Sequence, residues 1–428
     1  MIKLDKASVT KILVPRLKLY FQIFIILIFC LLAKKYLRDS RMSDNWTASN
    51  YSASANLLFG QDLSIDLEEI KFFKNLSIDD QDAYMFSKSD NLIPGNRIVS
   101  GFPYILKLSK TLFFFLGDQD ALIMFQILIY LIVNILIFDI FKKISHSLFF
   151  LIFFSLNPIV LKFVVFNYLY FWQIIPSALL LYLYYMKNRL INDRSTIICY
   201  LLILLLPFVF LTRPTTIATI FLIGIISFKY YDFKRVMISF LYFISIFHLI
   251  PQPVNAGAFF HTTYVGLGAY PNEHQNYLSD KAGYELYEEI HGERIVATRG
   301  GNLYESVITD RYNSTTKKEY IRIMSDDPFL VLKHAVLNTL IGYTYGYMNV
   351  NLKEINYISA FLGLLLVIFL IISKNYFLFL AIGATLCTYT LYYPPIPSYM
   401  FGAYILNVFS CLKIIEYLKP LILKKITN

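Results

Sequence analysis

The chain has 428 residues, of which 57% are hydrophobic and only 16% are charged, and it carries a net charge of +10. This composition supplies too little polar surface for a soluble domain of that length, so it predicts an integral membrane protein. No nucleic-acid-binding motif accompanies the positive charge, which favours anionic lipid headgroups over nucleic acid as its partner.

Ten apolar segments match the length needed to cross a bilayer and predict transmembrane helices. The first is followed by Lys34 and Lys35 rather than by a small-residue cleavage site, so we interpret it as a retained anchor. The ten segments are residues 18–33, 121–141, 148–165, 168–186, 196–212, 215–228, 236–250, 357–373, 376–392 and 399–417. The predicted fold is an all-α polytopic membrane protein with about ten transmembrane helices.

Lys and Arg concentrate in alternate short connections, which is typical of loops on the cytoplasmic side of a membrane. These basic connections lie near residues 142–143, 187–194, 229–235, 374 and 413–425. The pattern predicts a multi-pass protein with both termini in the cytoplasm. A bias toward Ile, Lys, Asn, Phe and Tyr, typical of AT-rich genomes, favours a bacterial inner membrane.

These assignments divide the chain into five parts. They are the cytoplasmic N-terminus with the first helix (1–34), a first extracytoplasmic loop (35–120), helices two to seven (121–250), a second extracytoplasmic loop (251–356), and the last three helices with a basic cytoplasmic tail (357–428). The two loops hold 24 of the 29 acidic residues and carry predicted amphipathic helices. The apolar stretch 329–347 is interpreted as interfacial, because a further crossing would place the basic C-terminus outside.

The first loop contains the main candidate for chemistry. Asp44 lies a few residues beyond the first helix and just before a helix-like run at 46–58. A carboxylate there can accept a proton from an acceptor hydroxyl, and the alternative is a helix N-cap. Asp79 and Asp80 are an alternative acidic pair for the same role, in a polar stretch that is otherwise typical of a solvated turn. A second helix-like run covers 99–115.

Two arginines are candidates for binding the donor phosphate. Arg213 separates two apolar segments, so its guanidinium is predicted at the outer membrane surface, where a phosphate is a natural partner. Alternatively, it pairs with an ordinary lipid headgroup or reaches water. Arg97 follows a turn at Pro94 and Gly95 and is a candidate for a donor or acceptor contact.

The second loop is rich in aromatic, glycine and polar residues from His261 to Glu273. Aromatic faces and carboxylates suit sugars, so His261, Tyr264 and Glu273 are candidates for acceptor binding, with loop packing as the alternative. No histidine has a metal-ligand spacing, so no metal site is predicted. Residues 280–293 are predicted as an acidic helix, and the prolines at 394–397 as a rigid outer connector.

The order of residues in the N-terminal half resembles the glycosyltransferase C superfamily, and within it the dolichyl-phosphate-mannose protein mannosyltransferase-like bacterial membrane glycosyltransferases. The residues that carry the resemblance are Asp44, Tyr51, Ala55, Leu58, Gly60, Gly101-Phe102-Pro103-Tyr104 and Leu106, and more loosely Asn157-Pro158 and Thr212-Arg213-Pro214. The resemblance implies a polyprenyl-phosphate-linked sugar as donor and a cell-envelope glycan or glycolipid, such as lipopolysaccharide, as acceptor. It implies inverting transfer on the extracytoplasmic face with Asp44 as base, and it leaves a divalent cation open as cofactor.

That chemistry needs few protein groups. A sugar on a phosphate already has a stable leaving group, so one carboxylate and one cation can suffice, whereas glycosidases need a pair of carboxyl groups. Two other functions stay open. One is an O-antigen-type surface-polysaccharide polymerase, although such proteins typically place their large loops later. The other is a lipid-linked-glycan flippase or transporter, disfavoured because the apolar segments hold few ionisable residues, among them Asp139 and Lys162.

Overall fold

The computed structural model describes residues 6–37, 101–141, 143–166, 169–187, 194–250, 259–275, 277–292, 306–349 and 354–427. Within these ranges every regular element is helical and there is no strand. The α-helices are α1 (Lys6–Tyr36), α2 (Phe102–Leu112), α3 (Asp118–Ile140), α4 (Ile144–Phe150), α5 (Pro158–Val164), α6 (Ile174–Tyr185), α7 (Arg194–Thr212), α8 (Ile217–Tyr230), α9 (Phe233–Leu249), α10 (Phe259–Gly266), α11 (Lys281–His291), α12 (Ser306–Asp326), α13 (Pro328–Gly342), α14 (Glu354–Ile372), α15 (Tyr376–Leu386) and α16 (Pro397–Thr427). The all-helical prediction is confirmed for the described residues.

Several helices have the length and apolarity of membrane spans. Four helical segments in the described ranges pass on both counts: Leu17–Tyr36, Asp120–Ile140, Glu354–Ile372 and Pro397–Pro420. The pair Ile144–Ser155 and Pro158–Val164, bent by 63°, can form a fifth. The remaining apolar segments have 10 to 17 residues. The count of ten spans therefore stays a prediction.

The centre of the bundle is α6. A helix that is apolar on every side must be surrounded, and all residues from Ile174 to Leu183 are buried. Helices α3, α7, α8 and α16 pack around it. α16 comes closest at Gly402, where an added Cβ would lie 2.7 Å from the Gln173 carbonyl oxygen. The small residue allows the two backbones to approach.

The peripheral helices present apolar side chains outward. On α14, Phe361 is 59% exposed and Leu362 is 52% exposed, and α1 and α9 carry similar outward-facing Phe and Leu residues. Exposed aromatic and aliphatic side chains along whole helices are suited to contact with lipid chains. This surface agrees with the apolar composition of the chain.

A break at Asn157 and Pro158 separates α4 from α5. A π-helical turn, Leu151–Ser155, precedes the break, and the Asn157 side chain accepts a hydrogen bond from the Ile159 amide at 2.9 Å as the N-cap of α5. The Tyr130 hydroxyl donates to the Ser155 carbonyl oxygen at 3.0 Å. A neighbouring helix thus satisfies a backbone carbonyl at the bend, as a kinked apolar helix requires.

Connections predicted to be cytoplasmic meet at one end of the bundle. The contacts are Lys187 Nζ over the Tyr230 ring at 4.5 Å, the Tyr184 ring stacked on Phe377 at 3.6 Å, and Lys413 Nζ over the Tyr185 ring at 5.5 Å. We call this the basic end. At the other end of α8, the Thr388 hydroxyl donates to the Thr215 carbonyl oxygen at 2.8 Å. The α7–α8 turn therefore lies at the opposite end, with the end of α15.

The stretch 329–347 forms α13 and an extended return. The Tyr270 hydroxyl donates to Asn338 at 2.9 Å, and the Tyr270 ring lies 5.9 Å from that of Tyr357 near the start of α14. Asn356 is hydrogen-bonded to both the amide and the carbonyl of Met348. The chain thus returns to the start of α14 after α13, and the two helices run side by side in the same direction. The interfacial placement of this stretch remains a prediction.

The second predicted loop is largely helical where the structure describes it. α11 occupies most of the predicted helix at 280–293, and α2 occupies most of the run at 99–115. α10 lies against the Tyr392–Tyr393 connector, since an added Cβ at Gly266 would lie 2.2 Å from the Tyr392 carbonyl oxygen. This contact places the second loop on the end of the bundle opposite the basic end.

Candidate functional site

Arg213 occupies a sharp turn between α7 and α8. Its backbone is extended (φ −139°, ψ 84°), as favoured for a residue that precedes a proline, and Pro214 opens a short 3-10 turn. The Thr216 amide and hydroxyl both donate to the Arg213 carbonyl oxygen, at 2.9 and 2.8 Å. These bonds fix the backbone and leave the side chain to point away from the turn.

The Arg213 guanidinium lies between two tyrosine rings. Its Cζ is 4.9 Å from the centroid of Tyr170 and 4.8 Å from that of Tyr399, within the range of a cation–π contact. Nε and Nη2 are buried and have no hydrogen-bond partner in the described part of the chain. Buried donors without partners are costly, and charged ones especially so. The arrangement can accept an anion, whose oxygens would take up both donors.

Further tyrosines hold Tyr399 in place. The rings of Tyr389 and Tyr393 lie 5.4 and 5.5 Å from its ring, and the Tyr389 hydroxyl donates to the Tyr399 backbone carbonyl at 3.2 Å. We call Tyr170, Tyr389, Tyr393 and Tyr399 the tyrosine box. The sequence pattern indicated Arg213 but not the box, because the prolines at 394–397 predicted only a rigid connector. The density of tyrosines on both sides of those prolines was the available signal.

His261 is the centre of a second polar cluster. It is 8% exposed, and its Nε2 lies 3.1 Å from Asp280 Oδ1, while Nδ1 forms a hydrogen bond with the Tyr312 hydroxyl. A carboxylate only accepts, so Nε2 carries a hydrogen and donates it to Asp280. Tyr284 stacks on the imidazole with centroids 5.6 Å apart. Hydrogen bonds therefore hold both ring nitrogens of His261, and Tyr284 covers one face of the imidazole.

Asp280 is a carboxylate that was not among the residues predicted for the site. Its side chain is 70% exposed although His261 holds one of its oxygens. Burial raises the pKa of the Tyr393 phenol, and the Asp280 carboxylate contributes to the increase, so Asp280 lies within electrostatic reach of the tyrosine box. Asp280 therefore faces solvent close to the end where Arg213 lies. Its place at the start of an acidic helix was the only signal in the sequence.

The other two acceptor candidates occupy different surroundings. Tyr264 is buried among Leu267, Ile323 and Leu330, and burial raises its pKa to about 12. It packs inside the second loop, which was the alternative given for it. Glu273 is exposed and lines a cavity of about 640 Å³ between the 271–274 turn and α13. Neither side chain has a hydrogen bond or ring contact with His261 in the described part of the chain.

The remaining candidates, Asp44, Arg97, Asp79 and Asp80, lie outside the described residues. Within the described ranges, no group of three His, Cys, Asp or Glu side chains is arranged to hold a metal ion. The sequence matches no family model, no curated protein and no solved structure. The geometry around Arg213 and His261 is therefore the basis for a functional hypothesis.

Proposed function

We propose that this chain is a membrane glycosyltransferase that moves a sugar from a polyprenyl phosphate to a cell-envelope glycan or glycolipid on the extracytoplasmic face. The observation that carries the proposal is the Arg213 guanidinium, whose buried Nε and Nη2 lack partners among the described residues. A phosphate monoester or diester oxygen is the anion that best fits a planar arginine fork at a membrane surface.

The reaction places few demands on the protein. An acceptor oxygen attacks the anomeric carbon from the face opposite the phosphate, the carbon–oxygen bond to the phosphate breaks, and the bond electrons leave with polyprenyl phosphate. The acceptor proton passes to a carboxylate, for which the resemblance of the first loop nominates Asp44. Arg213 stabilises the negative charge that grows on the departing phosphate.

The tyrosine box supports a sugar next to that phosphate. Tyr170 and Tyr399 fix the guanidinium plane, so the cation has little freedom to lose when the donor binds. Aromatic rings around the cation also offer apolar faces to a pyranose ring. Asp280, held by His261, provides a hydrogen-bond acceptor for hydroxyl groups of the acceptor, and Glu273 and Arg97 remain candidates for further contacts.

The distribution of basic residues supports an orientation of the bundle in which Arg213 faces the extracytoplasmic side. Basic connections gather at the end where Lys187 and Lys413 lie, whereas Arg213 is at the opposite end. Under the rule that cytoplasmic loops are basic, Arg213 then faces the outer leaflet of a bacterial inner membrane, with both termini in the cytoplasm.

The direct test is sugar transfer by the purified protein in proteoliposomes. We expect a polyprenyl-monophosphate sugar to be consumed and free polyprenyl phosphate to be released when an envelope glycolipid is present. Consumption of a glycan on polyprenyl diphosphate with chain growth would instead identify a polymerase. Movement of the lipid-linked sugar across the bilayer without a change in its covalent structure would identify a flippase and contradict the proposal.

A further inference from the structure

A cavity of about 1130 Å³ opens between α7, α8 and α9. α7 and α8 meet at the Arg213–Pro214 turn, and residues of both helices, from Cys199 to Leu206 and from Ile217 to Tyr230, line the space. Its walls are apolar and include Ile203, Leu206 and Phe243. We call this space the α7–α9 cavity. It lies apart from the tyrosine box and plays no part in the proposed transfer reaction.

The end of the cavity farthest from Arg213 is basic. Lys187, Lys229 and Arg235 line it, and Lys187 and Lys229 both lie over the Tyr230 ring, at 4.5 and 5.3 Å. None of the three cations forms an ion pair with a carboxylate in the described ranges. Three cations at the mouth of an apolar cavity favour an anionic headgroup.

Asp232 is the one carboxylate among the described residues that line the cavity, and it has another role. Its side chain accepts a hydrogen bond from the Arg235 backbone amide at 3.1 Å and caps the start of α9. A capping carboxylate satisfies a backbone donor and compensates the helix dipole. The mouth therefore keeps an excess of positive charge.

The cavity has the length of one acyl chain. Its lining follows α8 from Ile217 to Lys229, twelve residues further along the chain, which corresponds to about 18 Å at the rise of an α-helix. One leaflet of hydrocarbon is roughly 15 Å thick. Gly224 lies midway along this wall, and a Cβ added there would meet nothing within 4 Å. The space beside α8 is thus open along its length.

We infer that the α7–α9 cavity is a binding site for an anionic glycerophospholipid, with its phosphate at Lys187, Lys229 and Arg235 and an acyl chain along α8. The polyprenyl donor is a poorer occupant, because its phosphate belongs at Arg213 and the basic mouth lies at the other end of α8. Only the exclusion of the donor rests on the proposed transferase function; the basic mouth and the apolar path along α8 do not. A lipid held here fills the space between α7 and α8 and supports the turn that carries Arg213.

Native mass spectrometry of the delipidated full-length protein tests the site with defined lipids. With the unaltered chain, we expect one molecule of phosphatidylglycerol to be retained in preference to phosphatidylcholine. This comparison needs no variant, so it cannot fail through misfolding. Equal retention of phosphatidylglycerol and phosphatidylcholine would overturn the inference.

Matched variants locate the lipid. Lys229→Gln with Arg235→Gln should weaken phosphatidylglycerol binding about 25-fold, since each cation near an anionic headgroup contributes about fivefold. Lys234→Gln with Lys419→Gln removes the same charge from exposed positions that do not line the cavity, and it should leave binding unchanged. An equal loss of phosphatidylglycerol binding in both double variants would show that overall positive charge attracts the lipid without a specific site, and it would refute the inference.

Two substitutions at Gly224 test whether the acyl chain lies along α8. Gly224→Phe should fill the cavity and abolish retention of phosphatidylglycerol, whereas Gly224→Ala adds a methyl group that leaves room for the chain. Both variants keep all three cations, so headgroup attraction is unchanged. Undiminished retention by a folded, monodisperse Gly224→Phe protein would place the lipid elsewhere and refute the inference.

Discussion

The charged Arg213 guanidinium is held between two tyrosine rings. A guanidinium on a flexible side chain at a membrane surface would ordinarily reach water, but contact with both Tyr170 and Tyr399 holds this one at half-buried depth. Cation–π contacts are worth roughly 0.5–2 kcal/mol each, depending on desolvation. They offset part of the cost of burying Nε and Nη2 without hydrogen bonds, and a bound anion would offset the rest.

Arg213→Ala should lower the catalytic efficiency with the polyprenyl-phosphate donor by about 10²–10³, the usual effect of losing a donor that stabilises developing charge. Arg213→Lys should recover only part of it, because an ammonium has the charge but lacks the planar fork. Initial rates against donor concentration measure both effects. Lys162→Ala removes an exposed cation elsewhere and serves as the control; full activity of the Arg213→Ala protein would refute the role.

Replacement of Tyr399 separates the aromatic face from the phenol. Tyr399→Phe keeps the ring under the guanidinium and should transfer sugar at nearly the original rate. Tyr399→Leu removes the cation–π contact and should lower the rate by about tenfold, within the 0.5–2 kcal/mol range of such contacts. Equal rates for the two variants would show that the ring does not position Arg213.

His261 and Asp280 should respond differently to replacement. His261→Ala removes the hydrogen bond between the imidazole and the buried Tyr312 hydroxyl and should lower the free energy of unfolding by about 1–3 kcal/mol. Asp280→Asn can still accept from His261 and should keep its stability, while transfer falls because an acceptor hydroxyl loses a carboxylate partner. Thermal unfolding in detergent and transfer rates measure the two effects. A stable and fully active Asp280→Asn protein would limit Asp280 to fixing the imidazole.

At the scale of elements, small residues decide how closely the helices pack. Gly363 on α14 lies against the Leu340 carbonyl of α13, where an added Cβ would lie only 1.9 Å from the oxygen. A backbone atom cannot move aside as the end of a side chain can. This contact fixes α13 beside the first half of α14 and so fixes the position of the second loop above the bundle.

Gly363→Ala and Gly224→Ala form a matched pair, since both positions lie inside apolar helices. The first should separate α13 from α14 and lower the free energy of unfolding by about 1–3 kcal/mol, the typical cost of overpacking. The second has no neighbour within 4 Å and should raise stability by up to about 1 kcal/mol through helix propensity. Thermal unfolding monitored by size-exclusion chromatography compares them. A loss of equal size in both proteins would contradict the packing argument.

For the whole molecule, the two ends of the bundle differ in chemistry. One end gathers lysines and arginines, and the other carries the tyrosine box and the helical part of the second loop. Such a polarity directs a membrane protein to insert with its basic end toward the cytoplasm. It also separates the proposed transfer site from the proposed phospholipid site by the length of α8.

Single cysteines in a cysteine-free background test this orientation. Cysteines that replace Ser77 and Ser306 should react with a membrane-impermeant maleimide added to intact cells, because both positions lie in predicted outer loops. A cysteine that replaces Lys424 should react only after permeabilisation. Protection of either outer position in intact cells would contradict the predicted topology.

The sequence by itself determined the helical class of this protein. Hydrophobic blocks of membrane length predict helices because a backbone in hydrocarbon must satisfy its own hydrogen bonds, and each of the ten predicted blocks is mainly helical in the structure. Proline and asparagine also marked real breaks, at Asn157–Pro158 and Arg213–Pro214. These signals are local, and neighbours in the chain suffice to produce them.

Only the tertiary structure brought Arg213 between Tyr170 and Tyr399, and Asp280 beside His261. These partners are separated by tens to hundreds of positions, and an apolar helix reveals from its composition that it is buried but not which neighbour it meets. Tyrosines near a membrane end are common, so no pattern in the sequence distinguished those that contact the arginine. Long-range packing decided which polar groups face one another, and that arrangement is what suggests a phosphate site.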